Sequence, residues 1–273
     1  MRDRILEFKA VFYRDMALWL RYPSWIFVFF AFPYLFTGMF YAIGVALAGP
    51  GAVQNFQATT GTENFLVYNV AGMGIFMAAV VMVEDAGAAV RREQLLGTLE
   101  AIMAAPASRV LVLSASAAPN LLLTFATLCL AVIPAAALTG AAGPLETAAA
   151  LFLALVGMLP LAGLGMVLAG LVVKFKEPWG ALNVAKALIG VVSGVGYPLE
   201  VLPEWLRLAG MAFPTTHAIS MLRDALIFHR VHGGTLLSLA AVAVMAAIYP
   251  AVGGSVLRRV IREAERSGEI STY

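Results

Sequence analysis

The chain has 273 residues, of which 61% are hydrophobic and 12% charged. A soluble domain carries about 25% charged residues, so this composition disfavours a soluble enzyme, a disordered tail and a nucleic-acid binder together. The single cysteine, Cys129, excludes an internal disulfide or a multi-cysteine metal site, and the net charge of +2 is uninformative in total.

The N-terminal segment 1–24 reads as an amphipathic helix with basic ends. Ile5, Phe8, Phe12, Met16 and Trp19 recur at helical spacing, and Arg4, Glu7, Arg14 and Arg21 fall largely off that stripe. Such a helix suits the membrane interface, and Pro23 ends it.

Six candidate transmembrane helices follow, since about 20 apolar residues suffice for each crossing. They run from about Trp25 to Ala48, Phe65 to Val83, Pro119 to Leu138, Ala148 to Val173, Trp179 to Tyr197 and Thr235 to Leu257. Pro33 is expected to kink the first. Residues 1–273 therefore form a single transmembrane domain. Residues 25–197 hold five spans, 235–257 hold the sixth, and 258–273 form a tail.

Six spans put both termini on one side, and lysine and arginine choose it. On that face lie 14 of the 18 basic residues: the N-terminal segment, Arg91, Arg92, Arg109, Lys174, Lys176 and the tail. Both termini are expected to be cytoplasmic, in a multi-pass protein of the cell (inner) membrane.

Two segments do not read as simple connectors. Between Glu84 and Val112 the chain is expected to form a short cytoplasmic helix over about 91–105. Leu95, Leu99, Ile102 and Met103 line one side of it, and Pro106 stops it. Too short to span and too apolar to stand alone, it wants a partner groove. Between Pro198 and Phe228, Pro203 and Pro214 divide an apolar stretch into two pieces too short to cross. This 198–228 segment reads as a re-entrant hairpin on the outer side, or else as a small external loop.

Together these segments carry a resemblance. The stretch RREQLLGTLEAIMAAPASR, with Glu93, Gly97, Thr98, Leu99, Glu100, Pro106 and Arg109, resembles a motif of the type-2 ABC exporter permeases. That family includes drug-resistance and polysaccharide-export permeases. Pro198, Leu202, Pro203, Pro214 and Arg223 resemble its C-terminal signature, and RDMALWLRYP resembles the segment before its first span. The resemblance implies a non-catalytic subunit forming half of a translocation path. It implies pairing with a second copy of itself or a related permease, within membrane lipid, over two ATP-binding cassette ATPase subunits. ATP and Mg would be bound by those subunits and no cofactor by this chain. The short cytoplasmic helix would then be the coupling helix, seated on the ATPase, and the outer hairpin would line the exit.

The residues agree with that division of labour. A phosphate-cradling loop needs lysine after glycine. The four lysines follow Phe8, Val173, Phe175 and Ala185.

Glu93 and Glu100 either pair with the ATPase or merely keep their helix soluble. Glu84 and Asp85 read as the end of the second span. Lys186 reads as snorkelling to the cytoplasmic interface. Arg223 and Asp224 read as an internal salt bridge or a polar site at the exit. Ser193 and His217 are the pair an intramembrane hydrolase would need. A passive channel would want charged rings within the spans, where Lys186 alone is charged. An apolar path suits hydrophobic, amphipathic or lipid-linked cargo. No catalytic or metal-binding set is expected.

Overall fold

A computed structural model describes residues 2–22, 24–95, 115–175, 178–229 and 233–267. The described residues form an all-α polytopic bundle without strands.

Helix α1, Arg2–Arg21, is followed by α2, Ser24–Ala48. The apolar side chains of α2 carry its length, and Pro33 stands inside an unbroken helix. A single 3-10 turn, Gly49–Gly51, leads into α3, Ala52–Thr60. This short helix was not expected from the sequence. It ends at Gly61, whose φ of 76° places it in the left-handed region open to glycine.

Helix α4, Phe65–Leu95, is the core of the molecule. Of its apolar stretch 78% is buried, against 11% for the run Ser24–Thr60. The sequence reading ended this span at Val83 and treated Glu84 and Asp85 as its terminus. Instead the helix passes through both and reaches Leu95, so residues 91–95 are its continuation and do not open a separate helix. No proline or glycine pair stops it there, and carboxylates are tolerated in a helix wherever they find partners.

Helices α5, Ala117–Thr139, and α6, Pro144–Phe175, follow as an antiparallel pair joined by a turn at Gly140. Helix α7, Pro178–Val192, is the main departure from expectation. It has 15 residues, about 22 Å at 1.5 Å per residue, short of the roughly 30 Å hydrocarbon core. Trp179 to Tyr197 was read as one span, but the helix stops at Val192. Gly194 then takes a φ of 65°, which turns the backbone out of the helix. Five helical runs among the described residues are long and apolar enough to cross a membrane; α7 is the shorter sixth candidate.

A 3-10 turn, Leu199–Val201, precedes two short helices, α8 at Glu204–Gly210 and α9 at Pro214–Leu226. The last element among the described residues is α10, Gly233–Ser267. Helices α4, α6 and α9 enclose the core with α5, through Ile75, Leu128, Met158, Leu161 and Leu222. Helix α10 lies along α6, with Gly163 directly against the Pro250 backbone. Small residues permit such close backbone approach inside a bilayer.

Candidate functional site

At the end of the bundle nearest α1, the structure places the start of the expected coupling segment. Glu93 belongs to the last turn of α4. Gly97, Thr98, Leu99, Glu100, Pro106 and Arg109 lie outside the described residues.

Just above that segment, polar side chains join four helices. Lys186 of α7 forms an ion pair with Glu84 of α4. The snorkelling read from the sequence is therefore replaced by a partner on a neighbouring helix. One residue further on, Asp85 accepts a hydrogen bond from the Asn120 amide at 2.5 Å. Asn120, on α5, in turn accepts one from the Trp19 indole of α1 at 2.9 Å. Asn120 is 2% exposed, so both amide atoms need these partners. The sequence offered one signal that went unused: an asparagine on the third apolar span, costly in lipid unless paired.

Helix α1 meets the bundle through this contact. Val11 and Asp15 are buried, while Ile5 and Phe8 of the expected apolar stripe remain exposed. In the isolated chain those two side chains face outward, as a helix lying in lipid would hold them.

At the opposite end the centre is Arg223, on α9 and 6% exposed. Its guanidinium donates from Nη1 to the Gly194 carbonyl at 2.8 Å and from Nη2 to the Val195 carbonyl at 2.6 Å. Its Nε donates to the Tyr68 carbonyl at 3.2 Å, and the guanidinium lies 3.5 Å from the centre of the Tyr68 ring. The Gly194 and Val195 carbonyls are of the kind left unpaired where a helix stops. The planar fork of arginine satisfies several at once, which lysine cannot do. Gly72 of α4 completes the fit: a side chain there would collide with the Val195 carbonyl and the guanidinium.

Neighbouring polar groups fasten the same region. Ser193 and Thr215 share a buried hydrogen bond between hydroxyls. Thr216 donates to the Gly210 carbonyl at 2.7 Å, tying the start of α9 to the end of α8. The prolines act at boundaries. Pro198 is extended ahead of the 3-10 turn, Leu202 is extended after it, Pro203 precedes α8, and Pro214 opens α9. The first of the two pieces read from the sequence is thus only seven residues of α-helix.

The hydrolase pairing does not assemble. Ser193 is engaged with Thr215, while the His217 Nε2 makes its hydrogen bond with the Met211 carbonyl at 2.9 Å. Among the described residues no three His, Cys, Asp or Glu side chains stand together as metal ligands.

Between α3, the break after α7 and α9 lies a cavity of about 590 Å³. Its wall includes Tyr68, Tyr197, Glu200, Arg223, Asp224 and Phe228. The volume falls in the range of small-molecule sites, roughly 300–1,000 Å³.

Among the described residues, an all-helical bundle of long apolar helices, with a shorter one whose end is clasped by a buried arginine, defines a multi-pass membrane protein. Residues 6–227 match the family described as ABC-2 type transporter, and the chain belongs to that family. No curated protein matches the chain significantly. It is a transmembrane permease component of an ABC transporter.

Proposed function

We propose that the chain forms half of the translocation path of an ATP-driven exporter and works with a separate ATPase subunit. The observation that carries this reading is the family match over 6–227 in a chain whose lysines never follow glycine. Without a phosphate-cradling loop of its own, the chain draws its energy through contact with a partner.

In this reading the basic residues keep both termini and the 91–109 segment cytoplasmic, in the cell (inner) membrane. That segment seats on the ATPase, with Leu99 buried in the contact and Glu93, Glu100 and Arg109 around it. Gly97 and Thr98 allow the close approach and Pro106 ends the segment. Two copies, or this chain and a related permease, complete the path, and two ATPase subunits beneath them bind ATP and Mg. Pro198, Leu202, Pro203, Pro214 and Arg223 build an outer re-entrant hairpin at the exit. The apolar spans suit a hydrophobic, amphipathic or lipid-linked cargo.

The test is reconstitution. The chain, co-expressed with an ATPase subunit from the same source, should co-purify with it and move an amphipathic cargo out of the ATPase-bearing compartment only when ATP is hydrolysed. Cargo movement without the ATPase, or hydrolysis by this chain alone, would overturn the reading.

A further inference from the structure

We infer that α3 is a lid over the cavity beside the α7 break, held shut by Phe56. Ala58, Thr59 and Thr60 of α3 form one side of that cavity, and Ser193, Ser220 and Arg223 stand in the rest of its wall. A lid needs freedom to move and a contact that holds it closed.

The freedom comes from how little α3 buries. Ala52, Phe56 and Thr60, spaced four apart on one face, are half-buried, and its other residues are exposed. Its hydroxyls are used on its own backbone: Thr59 donates to the Asn55 carbonyl and Thr60 to the Phe56 carbonyl, each at 2.8 Å. Elements with few buried contacts open locally at a small fraction of the global stability. Both flanks leave the backbone room to turn. Gly49, ahead of the helix, has φ 60° with nothing within 4 Å of where a side chain would begin, and Gly61 behind it has φ 76°.

The holding contact is aromatic. The Phe56 ring meets the Phe65 ring at 4.8 Å between centres and the Tyr68 ring at 5.3 Å, both edge-on. Pairs of this geometry add to what burial alone supplies. Both partners belong to the first turn of α4. Tyr68 serves a second contact, since the Arg223 guanidinium lies 3.5 Å from the centre of its ring. The latch of α3 and the clasp of the α7 break therefore share one side chain, so the closed lid and the clasped break support each other.

As the cover of an exit, the lid rests on the exporter reading; as control of entry to the cavity, it does not.

The experiment uses the full chain in a nonionic maltoside micelle, with Cys129→Ser to remove the native thiol. Ser220→Cys places a thiol on the cavity wall, Gln54→Cys one on the exposed side of α3, and Ala78→Cys one in the core. Each reacts with a bulky polyethylene-glycol maleimide, followed by gel shift. Phe56→Ala should speed the reaction at Ser220→Cys about tenfold, as loss of two aromatic pairs predicts, with Gln54→Cys and Ala78→Cys unchanged. No acceleration at Ser220→Cys would overturn the lid. Acceleration at Ala78→Cys as well would mean unfolding and would overturn Phe56 as the latch. Hydrogen exchange on the unsubstituted chain needs no variant. The α3 amides should open together, about tenfold or more faster than those of α4 near Gly72; equal protection would overturn the movable helix. No ATPase enters either assay, so failure here leaves the exporter reading standing.

Discussion

The Arg223 guanidinium donates to the Val195 carbonyl at 2.6 Å, joining α9 to the point where α7 has stopped. The two residues are 28 positions apart. The contact explains how a helix end survives in an apolar bundle. Carbonyls that water would satisfy elsewhere are satisfied here by a side chain from another element.

Arg223→Met should therefore destabilise the chain more than an ordinary core substitution. It keeps the apolar stem and removes the donors, leaving the carbonyls of Gly194 and Val195 without this partner. Each buried unpaired group costs about 1–3 kcal/mol. Arg223→Lys should recover less than half of the loss, because an ammonium cannot span the three acceptors. Thermal unfolding in detergent checks both; a lysine variant as stable as the parent would mean the fork geometry is unimportant.

Gly72→Ala tests the same clasp from the α4 side. The added methyl group collides with the Val195 backbone, which cannot swing away as a side chain would. Overpacking of this kind costs about 1–3 kcal/mol. Gly38→Ala is the matched control, since nothing stands within 4 Å of its new carbon. A lower melting temperature is expected for the first and none for the second.

Much of this architecture could be read from the sequence. Apolar runs declare spans because a bilayer demands them, and Pro203 and Pro214 mark helix starts because proline needs no N–H there. The end of α7 was not legible. Ser193 and Gly194 sit in an apolar run that resembles other Gly-containing stretches, and the carbonyls freed beyond the helix are held by a guanidinium from α9. The length of α4 was missed for the opposite reason. Glu84 and Asp85 look like a terminus until Lys186 and Asn120 are seen beside them. Pairing across 35 to 102 positions leaves no local trace.

Asn120 gives a prediction at the other end. Asn120→Leu removes the acceptor of Trp19 and the donor to Asp85 together. Helix α1 should loosen at its C-terminal end while the bundle remains folded, because this hydrogen bond fastens that end to α5. Hydrogen exchange of amides near Trp19 should rise, with those in α6 unchanged. Equal exchange in α1 before and after the substitution would show that the indole contact does not hold it.

Leu99→Asp addresses the proposed ATPase contact. A carboxylate forced into an apolar groove costs on the order of a few kcal/mol. The variant should lose its ATPase partner on co-purification while keeping its own melting temperature in detergent. Full complex formation and full transport would remove Leu99 from the interface.

Pro214→Leu addresses the proposed outer end. Pro214 opens α9, and Phe213 before it is extended, with φ −98° and ψ 131°. Proline disfavours a helical conformation in the residue it follows, so it keeps α8 and α9 apart. Leucine lifts that restriction. The two can then join through Met211–Phe213 into one helix over 204–226, about 34 Å long at 1.5 Å per residue. A straight helix of that length cannot keep Thr216 on the Gly210 carbonyl, Thr215 on Ser193 and Arg223 on the α7 break at once. The proposed ATPase-contacting residues are unchanged in sequence, so subunit assembly and basal ATP hydrolysis should persist while export falls. Transport and hydrolysis measured on the same assembled complex separate the possibilities. Loss of both would place the defect in folding, and unchanged export would mean that the α8–α9 corner has no part in the exit.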